Sequence, residues 1–236
     1  MRLAELAFAC YVYGRMTDYD SSYLQFQKET SPQLDLSYEQ HRKALLNWLN
    51  DWGCRQFAID YHGLASEEIR NWYQDVGNQL FPLDRTLLDL SDSDFTSVST
   101  AYAKLVNRTA SKRTLRVGGQ AKVEFGPTGT AKILFALRSN ALIPWDEQIR
   151  IKFHFENTAD DYAKYLQLVR KNLEELKDAC ERNSCRLSDL PQLLGRPKSS
   201  LAKLIDEYFW VTVSRKCPAP TSKELAQWAQ WYGKNG

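Results

Sequence analysis

Between Ala159 and Arg182 apolar side chains return at three- and four-residue steps: Tyr162, Tyr165, Leu166, Val169, Leu173 and Leu176. Steps of that size line one face of a helix, so the stretch predicts a long amphipathic helix whose stripe must be buried against other elements. Similar patterns recur along the chain. Leu3, Leu6, Ala7 and Cys10 share a face of an N-terminal helix. Ser37 and Gln40 have capping-box spacing and open a helix through Trp52 that Gly53 stops. Ser66-Glu67-Glu68 puts acids in the first turn of a helix carrying Ile69, Trp72, Tyr73 and Val76. Further helices are predicted over 94–106, 199–213 and 222–232, the second of them preceded by a Gly195-Arg196-Pro197 break. Residues 19–32 are polar and poorly periodic, and predict a loop.

One stretch departs from this. From Thr114 to Phe125 the residues Leu115, Val117, Val123 and Phe125 alternate with polar ones around Gly118-Gly119, which predicts a β-hairpin near 114–125. The expected class is mainly α with one small hairpin. The 236 residues are expected to form one globular domain of two helical lobes, with residues from roughly 30 to 110 on one side and the hairpin region onward on the other.

Composition removes several alternatives. The chain is 43% hydrophobic and 25% charged with only 8 Pro and 11 Gly, which excludes long disordered or collagen-like tracts. No run reaches the roughly 20 apolar residues a bilayer crossing needs, and Glu5 interrupts the short apolar stretch at the N-terminus, so neither a membrane span nor a leader is expected. The 5 cysteines form no CxxC pair, and their odd count suits reduced thiols and a cytoplasmic setting. His41, His62 and His154 are too scattered for a metal site. No metal and no cofactor are expected.

Charge is unevenly divided. Residues 16–98 carry a net −8, whereas residues 102–138 carry a net +7, with Glu124 their one acid. A basic strip of this kind, including Lys122 and Lys132, suits the phosphates of a nucleic acid. It equally suits the acidic segment of the same chain.

The stretch that carries chemistry runs through Gly126-Pro127-Thr128-Gly129-Thr130-Ala131 into the apolar helix Ile133-Leu134-Phe135-Ala136-Leu137. A Gly-rich turn opening a helix gathers unpaired N–H groups and the positive end of the helix dipole, which together seat a phosphate. Gly126, Thr128, Gly129 and Thr130 are the residues of that turn. Pro144-Trp145-Asp146 follows, with Asp146 at the start of the next helix, where backbone N–H groups hold a carboxylate ionised. Taken by itself, Asp146 is also an ordinary N-cap.

Together these elements resemble the helix-hairpin-helix DNA glycosylases. That family joins a Gly-Pro-type hairpin, a Thr-Ala and an apolar helix to a catalytic Asp after a Pro-x-Asp-type sequence. Gly126-Pro127, Thr130-Ala131, the ILFAL helix and Pro144-Trp145-Asp146 stand in those places, and the resemblance covers residues 126–150. It implies a hydrolase that removes a damaged or modified base from duplex DNA, with Asp146 as the catalytic residue. Lyase-competent members carry a lysine where this chain has Pro127 to Gly129, so the implied enzyme is monofunctional. The four-cysteine cluster spacing of some members is absent.

In such a mechanism the base is flipped into an aromatic-lined pocket while positive charge grows on the deoxyribose. One carboxylate about 4 Å from that charge contributes roughly 4 kcal/mol at an effective dielectric near 20, or about a thousandfold in rate. Trp145, Trp72 and Tyr73 are the candidate pocket aromatics. Two other functions fit the same residues: a non-catalytic DNA-binding module that uses the hairpin alone, and an all-helical protein-interaction protein.

Overall fold

In a computed structural model the chain is described over residues 1–227 apart from Val117. It is mainly helical: α1 (Leu3–Met16), α2 (Tyr19–Glu29), α3 (Glu39–Asp51), α4 (His62–Asp75), α5 (Asp92–Val106), the strands β1 (Thr109–Thr114) and β2 (Gln120–Glu124), α6 (Gly126–Leu137), α7 (Glu147–Phe153), α8 (Ala159–Arg182), α9 (Leu190–Leu193) and α10 (Leu201–Phe209). A wide turn of five residues, Trp210–Ser214, extends α10. Residues 222–227 are helical too. The rest of the helix expected over 222–232 lies outside the described residues.

The periodic segments fold as their spacing requires. Every apolar residue of the α8 stripe is buried, Tyr162, Tyr165, Leu166, Val169, Leu173 and Leu176 alike, and Thr158 caps the helix by accepting from the amide of Asp161. Ser91 and Asp94 form a capping box at the head of α5, two residues upstream of the expected start. At α3 the expected Ser37 cap does not form. Tyr38 takes the cap position without a side-chain bond, while Ser37 donates its amide to Asp35.

Two expectations are corrected. Residues 19–29 are not a loop but α2. Only Tyr23 and Phe26 of that helix are fully buried, so most of its surface is polar, and the burial of two rings at i, i+3 outweighs the weak periodicity. Their partners are distant in sequence: Phe26 stacks on Trp48 at 4.9 Å, and Tyr23 meets Phe135 at 5.5 Å. The hairpin lies upstream of its expected position on one side, since β1 ends at Thr114. Its antiparallel register pairs Ser111 with Val123 and Lys112 with Lys122. Gly118 and Gly119 both take positive φ in the turn, where a Cβ would clash with the backbone.

One continuous apolar core draws on every long helix from α1 to α10. It fixes the two segments that matter for chemistry. α6 is buried along most of its length, from Gly129 to Leu137 except Lys132 and Ala136. The extended link Ile143-Pro144 hangs from α8 by two phenols: Tyr162 Oη donates to the Ile143 carbonyl at 3.1 Å and Tyr165 Oη to that of Pro144 at 3.2 Å. No helix among the described residues is long and apolar enough to cross a membrane. Cys10, Cys54 and Cys180 are buried, and none of the five cysteines is in a disulfide.

Candidate active site

Asp146 ends the phenol-held link and begins α7. Its Oδ1 accepts from the Ile149 amide at 2.9 Å, which is the N-cap bond the sequence predicts. Its Oδ2 accepts from the hydroxyl of Ser214, on the wide turn that follows α10. The residue is half-buried and borders a cavity of about 260 Å3. Asp146 is thus both a helix cap and a group open to a cleft.

Thr128 and Lys132 of α6 border the same cavity, as do Gly53, Pro144, Ile149 and Asp206 and five aromatic side chains: Tyr13, Tyr19, Trp52, Trp145 and Trp210. Two α6 residues and the Asp146 carboxylate therefore converge on one space. Arg150 ties α7 to α6 by donating to Thr128 Oγ1 at 3.3 Å. Lys132 Nζ donates to the Trp52 carbonyl at 2.6 Å and stands 5.4 Å from the centre of the Trp52 indole.

The first turn of α6 combines open amides with close packing. Gly126 takes a φ of +65°, and the amides of Gly126 and Thr128 have no intrahelical acceptor because they open the helix. Gly129 is buried, and a Cβ there would stand 2.5 Å from Gln56 Nε2 and 3.1 Å from the Phe57 ring. Its glycine is a packing requirement. Thr130 is fully buried with its hydroxyl unpartnered. Neither Gly129 nor Thr130 presents a side chain to the cavity, while Thr128 does.

The expected pocket aromatics divide. Trp145 forms a wall of the cavity, but it is only 1% exposed, with Tyr162 at 5.1 Å and Tyr165 at 5.5 Å against its ring, so it supports the wall more than it offers a stacking face. Trp72 lies in the core between α4 and α5, its Nε1 donating to the Ala101 carbonyl at 2.9 Å. Tyr73 follows it on α4, and neither lines the cavity. Helical spacing put both on the core face, which is where they are. Tyr13, Tyr19 and Trp210 come from α1, α2 and the turn after α10, segments remote in sequence from Asp146.

Asp206 carries the clearest electrostatic signature. Burial, together with Glu207 and Asp146 nearby, pushes its carboxyl up to about 7 against the pull of Lys203 and Lys132. Nothing in its sequence context distinguishes it from a solvated acid. Only the fold brings it beside Asp146.

Lys122 lies away from the cavity on β2, exposed and paired with Glu124 at 3.3 Å. Much of the basic segment is similarly engaged: Lys104 with Asp75 and Arg108 with Glu68, each at 3.1 Å. Among the described residues Lys112, Arg113 and Arg116 on the exposed hairpin make no ion pair. A larger groove of about 680 Å3 is walled by Leu87, Leu173, Leu187 and Leu201. It shares no residue with the Asp146 cavity, and its polar lining, which includes Asp89, Lys177, Glu181 and Arg186, is joined by no aromatic ring. No group of His, Cys, Asp and Glu among the described residues has the arrangement of a metal site.

No protein-family model, curated protein or solved structure matches the chain.

Proposed function

We propose that the protein is a DNA N-glycosylase of helix-hairpin-helix type that removes a damaged or modified base from duplex DNA without cleaving the backbone. The observation that carries this is the convergence of Asp146 with Thr128 and Lys132 on one aromatic-walled cavity. A flipped base stacks against indole and phenol rings. The Asp146 carboxylate, fixed through one oxygen by Ile149 and through the other by Ser214, keeps lone pairs for the positive charge that grows at C1′ as the glycosidic bond lengthens. The amides opening α6 and the exposed cations of the hairpin, Lys112, Arg113 and Arg116, supply the sequence-independent grip on phosphates. The bond from Lys132 to the Trp52 carbonyl favours hydrolysis over attack by an amine.

The test is base release from a panel of duplexes, each carrying one modified base, read as strand breaks after heating in alkali. The expected result is alkali-dependent breakage that falls about a thousandfold in Asp146→Asn, a substitution that keeps the helix cap. Borohydride should trap no covalent complex. Salt-sensitive binding with no release from any duplex identifies a DNA-binding module instead, and loss of binding at about 0.1 M salt identifies a protein-interaction role.

A further inference from the structure

Asp206 and Glu207 are neighbours on α10 with opposite fates. Glu207 is fully buried and bonded to Lys203 at 2.8 Å and Arg196 at 2.7 Å. Among the described residues Asp206 makes no side-chain hydrogen bond and no ion pair, and it lines the cavity that Asp146 lines. A carboxyl without a protein partner, set in an aromatic-walled cavity, is arranged for a ligand that supplies the partner.

We propose that Asp206 donates a proton to the departing base, and that the substrate is accordingly a neutral base with a ring-nitrogen or carbonyl acceptor rather than a cationic, N-alkylated one. This rests on the glycosylase function proposed above. The chemistry divides substrates in two. A cationic base leaves as a neutral molecule and needs no acid, whereas a neutral base leaves as an anion unless it is protonated. A cation entering this cavity would also meet Lys132.

The step balances. The C1′–N bond breaks and its electron pair stays on the base, while the Asp206 proton passes to the base acceptor, so the base leaves neutral and Asp206 becomes a carboxylate. Water adds hydroxide to C1′, and the proton it gives up restores Asp206. Asp146 takes no part in the proton transfer and stabilises the sugar cation, so the two carboxyls of one cavity divide the roles.

The surroundings favour the protonated form of Asp206. Burial disfavours its anion, and Asp146 at the head of α7 and Glu207 on its own helix oppose it further. Lys203 on α10 and Lys132 on α6 act the other way. The phenols of Tyr13 on α1, Tyr23 on α2 and Tyr165 on α8 also lie close enough to feel its charge. Asp20 and Arg196 are engaged with Lys203 and Glu207.

The experiment measures single-turnover release by the full chain from pH 5 to 9, on duplexes carrying uracil, hypoxanthine or 7-methylguanine. Release of a neutral base should fall about tenfold per pH unit above about pH 7. Asp206→Asn should lose about a hundredfold on that base and abolish the alkaline limb, while any 7-methylguanine release should change less than threefold. The wild-type limb is read without any variant, so misfolding of Asp206→Asn does not spare the proposal. A flat profile above pH 7, an unaltered Asp206→Asn, or a wild type that prefers 7-methylguanine overturns it. If release still requires Asp146, the glycosylase function stands while the role of Asp206 falls. If the wild type releases none of the three bases, both fall.

Discussion

Tyr13 and Trp52 touch two groups of charges that could hardly differ more. One is a sealed knot. Lys203 is fully buried, bonded to Glu207 at 2.8 Å and within 3.3 Å of Asp20, with its ammonium 4.2 Å from the centre of the Tyr13 ring. The other is the open cavity, where Lys132, Asp146 and Asp206 face a space and Asp206 has no partner among the described residues. In the knot every charge is answered within the chain: burial alone would lower Lys203, but Glu207, Tyr13, Asp206 and Asp20 together raise it, so the ammonium persists. Internally satisfied charge fixes the fold, and a cavity carboxyl without a partner among the described residues marks where a ligand belongs.

Breaking the knot should cost most. Lys203→Met leaves Glu207 buried with Arg196 alone, and equilibrium denaturant unfolding should show a loss of about 3–5 kcal/mol. The double variant Lys203→Met/Glu207→Gln should recover part of it, because the stranded charge is gone.

Neutralising the cavity should do the opposite. Because folding raises the Asp206 carboxyl to about 7, its contribution is fully present below the unfolded value near 4 and is lost as pH rises towards 7. Asp206→Asn should therefore be more stable than the wild type at pH 8, by about 1–3 kcal/mol once screening by cavity water is allowed for, and the pH dependence of its unfolding between 4 and 7 should flatten.

A smaller loss is expected where packing rather than charge shapes the site. Gly129→Ala drives a methyl against Gln56, whose amide donates to the Phe125 carbonyl at 2.8 Å. Thermal unfolding should register about 1–2 kcal/mol. The smallest effect belongs to the exposed pair Lys104–Asp75: Lys104→Ala should stay within about 0.5 kcal/mol of the wild type by the same measurement.

Much of the helical framework was legible in the sequence because α3, α5 and α8 each carry an apolar stripe at helical spacing. α2 escaped because it buries only Tyr23 and Phe26, and two rings in eleven residues leave little pattern. The site was legible in part. Asp146 follows a proline at a helix start, a local signal, and Lys132 sits in the motif itself. Asp206 did not show, because in Leu-Ala-Lys-Leu-Ile-Asp-Glu-Tyr-Phe it sits in an amphipathic pattern where an acid normally faces water. Tyr13, Tyr19 and Trp210 reach the cavity through long-range contacts that no local spacing encodes. Of the two roles its charge allowed, the basic segment shows the internal one in part: Lys104 and Arg108 pair with the acidic region, while Lys112, Arg113 and Arg116 make no such pair among the described residues.

The wide turn at Trp210–Ser214 joins two duties in five residues: Trp210 walls the cavity, and Ser214 holds Asp146. A regular helix advances each residue by about 100° around its axis, and a turn that breaks this rhythm sets where every later side chain points. The orientation of Asp146 is thereby tied to the length of a segment 68 residues downstream. Conservative exchanges within that turn should be forgiven more readily than the gain or loss of a single position.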